Sequence, residues 1–136
     1  MLIVPLISRT SMLDGFEVRM ATGSGTAKLR LLQSLVTLVD FDLSNTPFGA
    51  GVQDSIVLAS CPIAATSSAS GTVTQFQLIN RNGDVALYGD VGGTDSYALR
   101  VPRAIVTTTT AQRLAGFVLR QGPDGRLFAE ASLALQ

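Results

Sequence analysis

The sequence predicts an all-β protein, a jelly-roll-like β-sandwich with one short N-terminal helix and extended terminal arms. Three observations carry that expectation. Apolar–polar alternation recurs at roughly ten-residue spacing from residue 27 onward, as in sandwich strands. Clusters of Gly, Pro, Asn and Asp punctuate the alternation. A helical period occurs only once, near the start. The chain has 136 residues, enough for one core and too few for two. It divides into an N-terminal arm (1–9), a sandwich domain with its leading helix (10–120) and a C-terminal arm or strand (121–136).

The elements follow in order. The opening stretch carries Leu2, Ile3, Val4, Leu6 and Ile7 around Pro5. It lacks the basic flank and cleavage site of a signal peptide and is far short of the ~20 residues that cross a bilayer. Pro5 suits an edge strand, so an extended adhesive arm is expected. Thr10 or Ser11 then caps a helix ending at Met20, with Leu13, Phe16 and Met20 on its apolar face and Gly15 weakening it. Strands are expected over 27–33 and 36–43, the second with Val39, Phe41 and Leu43 inward and Asp40 and Asp42 outward. Another covers 54–60, and the Ala/Ser-rich stretch 64–71 reads as a surface loop. Residues 72–79 and 84–90 form a hairpin around Asn82-Gly83, the type I′ turn sequence. Strands over 96–101 (with Tyr97, Leu99 and Val101 aligned), 105–110, 114–120 and 126–135 complete the set. In the last, Leu127, Ala129, Ala131, Leu133 and Leu135 share one face.

Composition narrows the function. Charged residues are 15% of the chain, against roughly 25% in ordinary domains, and ten basic residues balance ten acidic ones. A neutral surface lacks the field that grips a phosphate backbone, so no nucleic-acid partner is expected, and no membrane either. There is no His, and Cys61 stands alone. That excludes disulfide scaffolds, His/Cys metal clusters and hydrolases with a histidine base. No cofactor is expected. Few charges and zero net charge favour association.

No motif offers catalysis. Asp40 and Asp42 lie about 7 Å apart on one strand face, a separation glycosidases use, but the alternation with Val39, Phe41 and Leu43 favours the solvated side of an amphipathic strand. Lys28 is the sole lysine, among leucines. The 21–26 Gly-Ser-Gly segment lacks the P-loop spacing. The 90–95 loop has two carboxylates around glycines, which is ordinary turn composition. Arginine outnumbers lysine nine to one, and arginine favours protein interfaces. Arg100, Arg103 and Arg113 are therefore interface candidates, together with Leu2, Ile3, Val4 and Leu6 of the arm and Leu127, Phe128, Leu133 and Leu135 of the last strand.

The order of elements, with Leu43-Ser-Asn-Thr-Pro-Phe-Gly-Ala50 and the run from Ser70 to Gly93, resembles a family of small proteins encoded near head genes of tailed phages. The likeness covers most of 10–120 and rests on turns. It implies a capsid decoration, or cement, protein: a jelly roll on the outer head surface whose partners are the major capsid protein and a second copy of itself, a homodimer before a trimer. Two departures stand out. Both ends are longer than the common pattern, and Gln75-Phe76 occupies the usual Trp position. The family lends no catalytic residue. Two other classes remain open, a carbohydrate-binding jelly roll of a fibre or secreted protein, and a tail-tube or head-completion protein.

Overall fold

The computed structural model describes residues 3–49, 51–93, 98–101 and 104–136. It is an all-β, sandwich-like fold with one helix, built on a curled sheet. Helix α1 spans Leu6–Ala21. Among the described residues eleven strands follow: β1 Lys28–Gln33, β2 Val36–Asp42, β3 Ser55–Val57, β4 Ile63–Thr66, β5 Gly71–Thr72, β6 Gln75–Ile79, β7 Val85–Gly92, β8 Leu99–Arg100, β9 Ile105–Val106, β10 Ala111–Gln121 and β11 Leu127–Ala134. The main sheet runs β2-β1-β6-β7-β8-β11-β10-β3, with β4 also on β10, while β5 and β9 form a small separate ribbon. Antiparallel neighbours β2-β1-β6-β7 form one layer and β11-β10 with β3 and β4 the other. Two-residue β8 joins the layers, parallel to both β7 and β11. The curl brings the far ends together, where Ser68, just past β4, donates its N–H to Leu38 O on β2 at 2.8 Å.

The core follows the alternation. Leu29 and Leu31 of β1, Phe41 of β2, Phe76 and Leu78 of β6, and Leu114, Phe117 and Leu119 of β10 are buried. Phe16, Phe48, Phe117 and Phe76 form a chain of edge or tilted ring contacts, 5.8, 6.1 and 6.3 Å between centroids, from helix through loop to both layers. Among the described residues three bulges disturb the period, one of them on β7, where Ala86 is extra. On β2, Leu31 opposes Val39 but Leu32 opposes Thr37, so Leu38 is extra and both Leu38 and Val39 point inward. On β10, Ala115 is extra beside Gly116, and the inward set shifts from Gln112 and Leu114 to Phe117, Leu119 and Gln121. That bulge also splits the outer edge of β10, which pairs with β4 before it and β3 after it.

Several expectations are corrected. The arm does not extend through residue 9, because the helix begins at Leu6 with Pro5 as its N-cap. Leu6, Arg9, Leu13, Phe16 and Met20 keep a three–four spacing on one face, so the apolar period starts a full heptad early once the Arg9 stem is counted. Thr10 and Ser11 are not caps. Inside the helix, their hydroxyls donate back to Leu6 O (3.1 Å) and Ile7 O (3.2 Å). The C-terminal segment is not a free arm either, since β11 pairs with β10 and buried Gln112 fixes Gln136 through Nε2 to Gln136 O (2.8 Å) and Gln136 N–H to Oε1 (2.6 Å). The 64–71 stretch is a loop only at 67–70, between residues 64–66 of β4 and Gly71 of β5.

The Asn82-Gly83 hairpin forms, but not through a type I′ turn. Gly83 alone is left-handed (φ 87°) and its N–H reaches Asn80 O at 3.0 Å. This is a type I turn over 80–83 closed by a glycine bulge. The Asn80 side chain accepts the N–H groups of Asn82 (3.0 Å) and Asp84 (2.9 Å). The 122–125 turn repeats the device, with Gly125 at φ 82° donating to Gly122 O at 3.0 Å.

Candidate functional site

The N-terminal segment meets the turn between β10 and β11 at one pole of the molecule. Val4 N–H bonds to Pro123 O in the 122–125 turn, and its side chain lies beside Gly125. Arg9 fastens the junction: its Nε donates to Val4 O (3.1 Å), and Nη1 reaches Gln121 O (3.4 Å) and Asp54 (3.6 Å). The 51–54 loop joins from the other side. Thr10 Oγ1 donates to Gln53 O, and the Gly51 N–H donates to the Asp14 carboxylate at 2.6 Å. A Cβ on Gly51 would fall 2.7 Å from that carboxylate oxygen and 3.2 Å from Thr10 O, so Asp14 would have to shift to admit one.

What this scaffold presents is apolar. Ile3 (68% exposed), Leu6, Ile7 (79%) and Val52 (68%) stand out around the junction, and Leu127 and Phe128 open β11 immediately after the turn, both partly exposed. Arg9 is turned inward onto carbonyls and Asp54, while Asp124 and Arg126 of the adjoining turn are exposed. The surface is therefore mainly apolar, with one exposed charge of each sign beside it.

Of the interface candidates read from the sequence, Ile3, Val4, Leu6, Leu127 and Phe128 come together here. Leu2 and Arg103 lie outside the described residues, as does Tyr97. Leu135 is corrected from surface to core, at the foot of β11. Leu133 is half-buried against that core. Arg113 is exposed at the opposite end of β10, opposite Ala134. Arg100 sits exposed on β8 and already has a partner within the chain. Sequence reasoning missed Ile7 as a helical surface residue and Val52 altogether. An isolated valine in a glycine-flanked loop gives no periodic signal, and only the folded contact with α1 brings it here.

The features weighed for chemistry have structural roles. Lys28 pairs with Asp42 at 2.7 Å, and Arg30 grips Asp40 through two bonds of 2.8 and 3.0 Å, each pair directly cross-strand. The Asp40 hydrogen bond raises the Arg30 pKa further above its ordinary range. Gly23 and Gly25 form a seat for the 80–84 turn, with Gly25 N–H donating to Arg81 O at 2.8 Å and Arg81 Nε to Gly25 O at 3.0 Å. Burial pushes the half-buried Cys61 thiol upward from its ordinary 9.0. A shallow cleft between α1 and the 44–49 loop, about 290 Å³, is lined by Glu17, Val18, Ala21, Thr22, Thr46 and Phe48, and Glu17 is its single ionisable group. Among the described residues no cluster of three metal-ligating side chains occurs, and no helix is long and apolar enough to cross a membrane. Compared with protein-family profiles, curated proteins and solved structures, the chain matches none.

Proposed function

We propose that this protein is a structural virion component that binds the outer surface of a phage capsid, cements neighbouring major capsid subunits and so stabilises the mature head. The observation that supports it most is the apolar pole, where the N-terminal segment, the start of β11 and the 51–54 loop display Ile3, Leu6, Ile7, Val52, Leu127 and Phe128 on a hydrogen-bonded base. A protein of zero net charge that keeps such residues in water needs a partner to cover them. The sequence resemblance supplies the kind of partner. Cementing then follows from linkage: a protein that binds subunits better in their mature arrangement stabilises that arrangement, and repetition over a closed shell multiplies weak contacts.

Purified protein should co-sediment with mature heads stripped of decoration, saturate at a stoichiometry tied to the shell lattice, and raise the temperature at which heads rupture. It should bind unexpanded precursor shells much more weakly. Ile7→Asp, whose side chain makes little contact within the fold, should leave the thermal unfolding of the isolated protein unchanged and weaken attachment at least tenfold. Equal binding by the variant, or no binding to heads at all, contradicts the reading.

A further inference from the structure

The outer face of the β2-β1-β6-β7 layer carries a second feature, far from the chain ends in sequence. Cross-strand register lines up four side chains: Arg30 opposes Asp40 on β2 and Gln77 on β6, and Gln77 opposes Tyr88 on β7. With strands about 4.8 Å apart, the row spans about 14 Å. Tyr88 is 76% exposed, the most open aromatic ring among the described residues. The core does not use it. Packing on that stretch of β7 comes from its inward neighbours, with Leu87 against the core and Gly89 opposite Phe76. At the other end, Arg30 and Asp40 are held in a planar two-bond pair, yet each side chain remains about 30% exposed (30% and 28%). Asp40 engages two of the five N–H donors of Arg30. Gln77, half-buried between them, contributes an amide.

We propose that this row is a glycan subsite for a short neutral oligosaccharide. An exposed aromatic ring offers a flat apolar surface with a polar tip, which suits the C–H face of a pyranose. A fixed carboxylate–guanidinium pair offers acceptor and donors side by side in one plane, which suits vicinal hydroxyls on a following ring. Other ligand classes fit less well. The Asp40–Arg30 and Asp42–Lys28 pairs cancel, so an anion gains no net attraction. An extended peptide adds along a strand edge, whereas this row crosses the sheet face at right angles to the strands, over β1 and β6, which are paired on both sides. The assignment does not rest on the capsid reading, because it uses a different face and different residues.

The test uses the intact protein on an array of neutral and acidic oligosaccharides, followed by titration of the best neutral binder. The chain has no Trp and two Tyr, so tyrosine fluorescence reports on the row directly, and the Gln77 side-chain amide gives a second signal by NMR. We expect saturable binding with Kd of about 1 mM, little affected by salt. Tyr88→Ala should weaken it at least tenfold and Gln77→Ala several-fold, while Tyr88→Phe, which keeps the ring, and Phe128→Ala, away from the row, bind as the parent does. The idea is overturned by an array without neutral binders, by exclusive binding of acidic glycans, or by a Tyr88→Ala protein that binds undiminished. It is equally overturned if Tyr88→Ala loses attachment to phage heads while no sugar is bound, since the row would then be a protein contact.

Discussion

Gly23 illustrates how a single atom decides a position. Its backbone lies at φ 114°, and a Cβ there would sit 2.3 Å from the Asn82 nitrogen. Both the left-handed region and the clash with backbone, which cannot rotate away, oppose any side chain. Gly23→Ala should lower stability by ~2–3 kcal/mol, read as a reduced urea midpoint at unchanged slope. The glycines that superficially suggest a phosphate cradle thus serve to seat a hairpin. Cys61 shows the converse, a reactive group kept quiet by its surroundings. Burial disfavours its thiolate, so the folded-state pKa lies above the unfolded value. A group raised in this way adds stability that is complete below the unfolded pKa near 9 and is lost as pH climbs through the folded one. Alkylation by iodoacetamide at pH 8 should therefore be slower in the native protein than in urea, and native stability should decline above pH 9. Equal native and unfolded rates would remove burial as the control on this thiol.

The two hairpin turns make the element-scale argument, because they solve one problem with the same backbone. In each, a type I turn is closed by a left-handed glycine, Gly83 or Gly125, whose missing side chain would have met nothing closer than ordinary van der Waals contact. Only the dihedral angle is at stake. Gly83→Ala and Gly125→Ala should each cost ~1 kcal/mol, whereas Asn82→Ala should cost less than about 0.5 kcal/mol, its residue having no positive φ to relieve. A type I′ turn would make Asn82 as sensitive as Gly83, so thermal denaturation of the three variants separates the geometries. The contrast also marks what the sequence makes legible. Period-two alternation located β1, β2, β6, β10 and β11 closely, because each buries one face. Turn position was legible from Asn-Gly, but turn type depends on which residues take positive φ, here Gly83 and not Asn82, and pattern alone does not reveal that. Short strands such as β4, β5 and β8 owe their existence to neighbours: β8 is two residues stitched between β7 and β11. The apolar pole was legible in its parts, as greasy segments near the termini, but its assembly depends on Val4 meeting Pro123 and on Arg9 bonding to the Gln121 carbonyl, 112 residues away in sequence. The extended reading of residues 6–9 fails because the fixed φ of Pro5 suits a helix entrance as well as an edge strand.

At the scale of the whole molecule, the balance of ten positive and ten negative charges sets how any partner is held. Four of the ion pairs, Lys28–Asp42, Arg30–Asp40, Arg19–Asp84 and Arg120–Glu130, are internal and at least partly exposed, so they tune the surface without leaving a field to steer a ligand. The pole formed by Ile3, Leu6, Ile7, Val52, Leu127 and Phe128 must then act by excluding water, and that mode has its own dependence on solution conditions. Attachment through desolvated apolar surface should be nearly flat between roughly 0.05 and 0.5 M sodium chloride, a range over which a charge-driven contact is screened away, and it should strengthen in sulfate, which favours burial. The same surface should draw free copies together, so the sedimentation coefficient of the isolated protein should rise with concentration in the parent and stay low in Ile7→Asp. Retention on heads that falls steeply with sodium chloride would assign the contact to charged groups such as Arg113 and remove the apolar pole from the binding step.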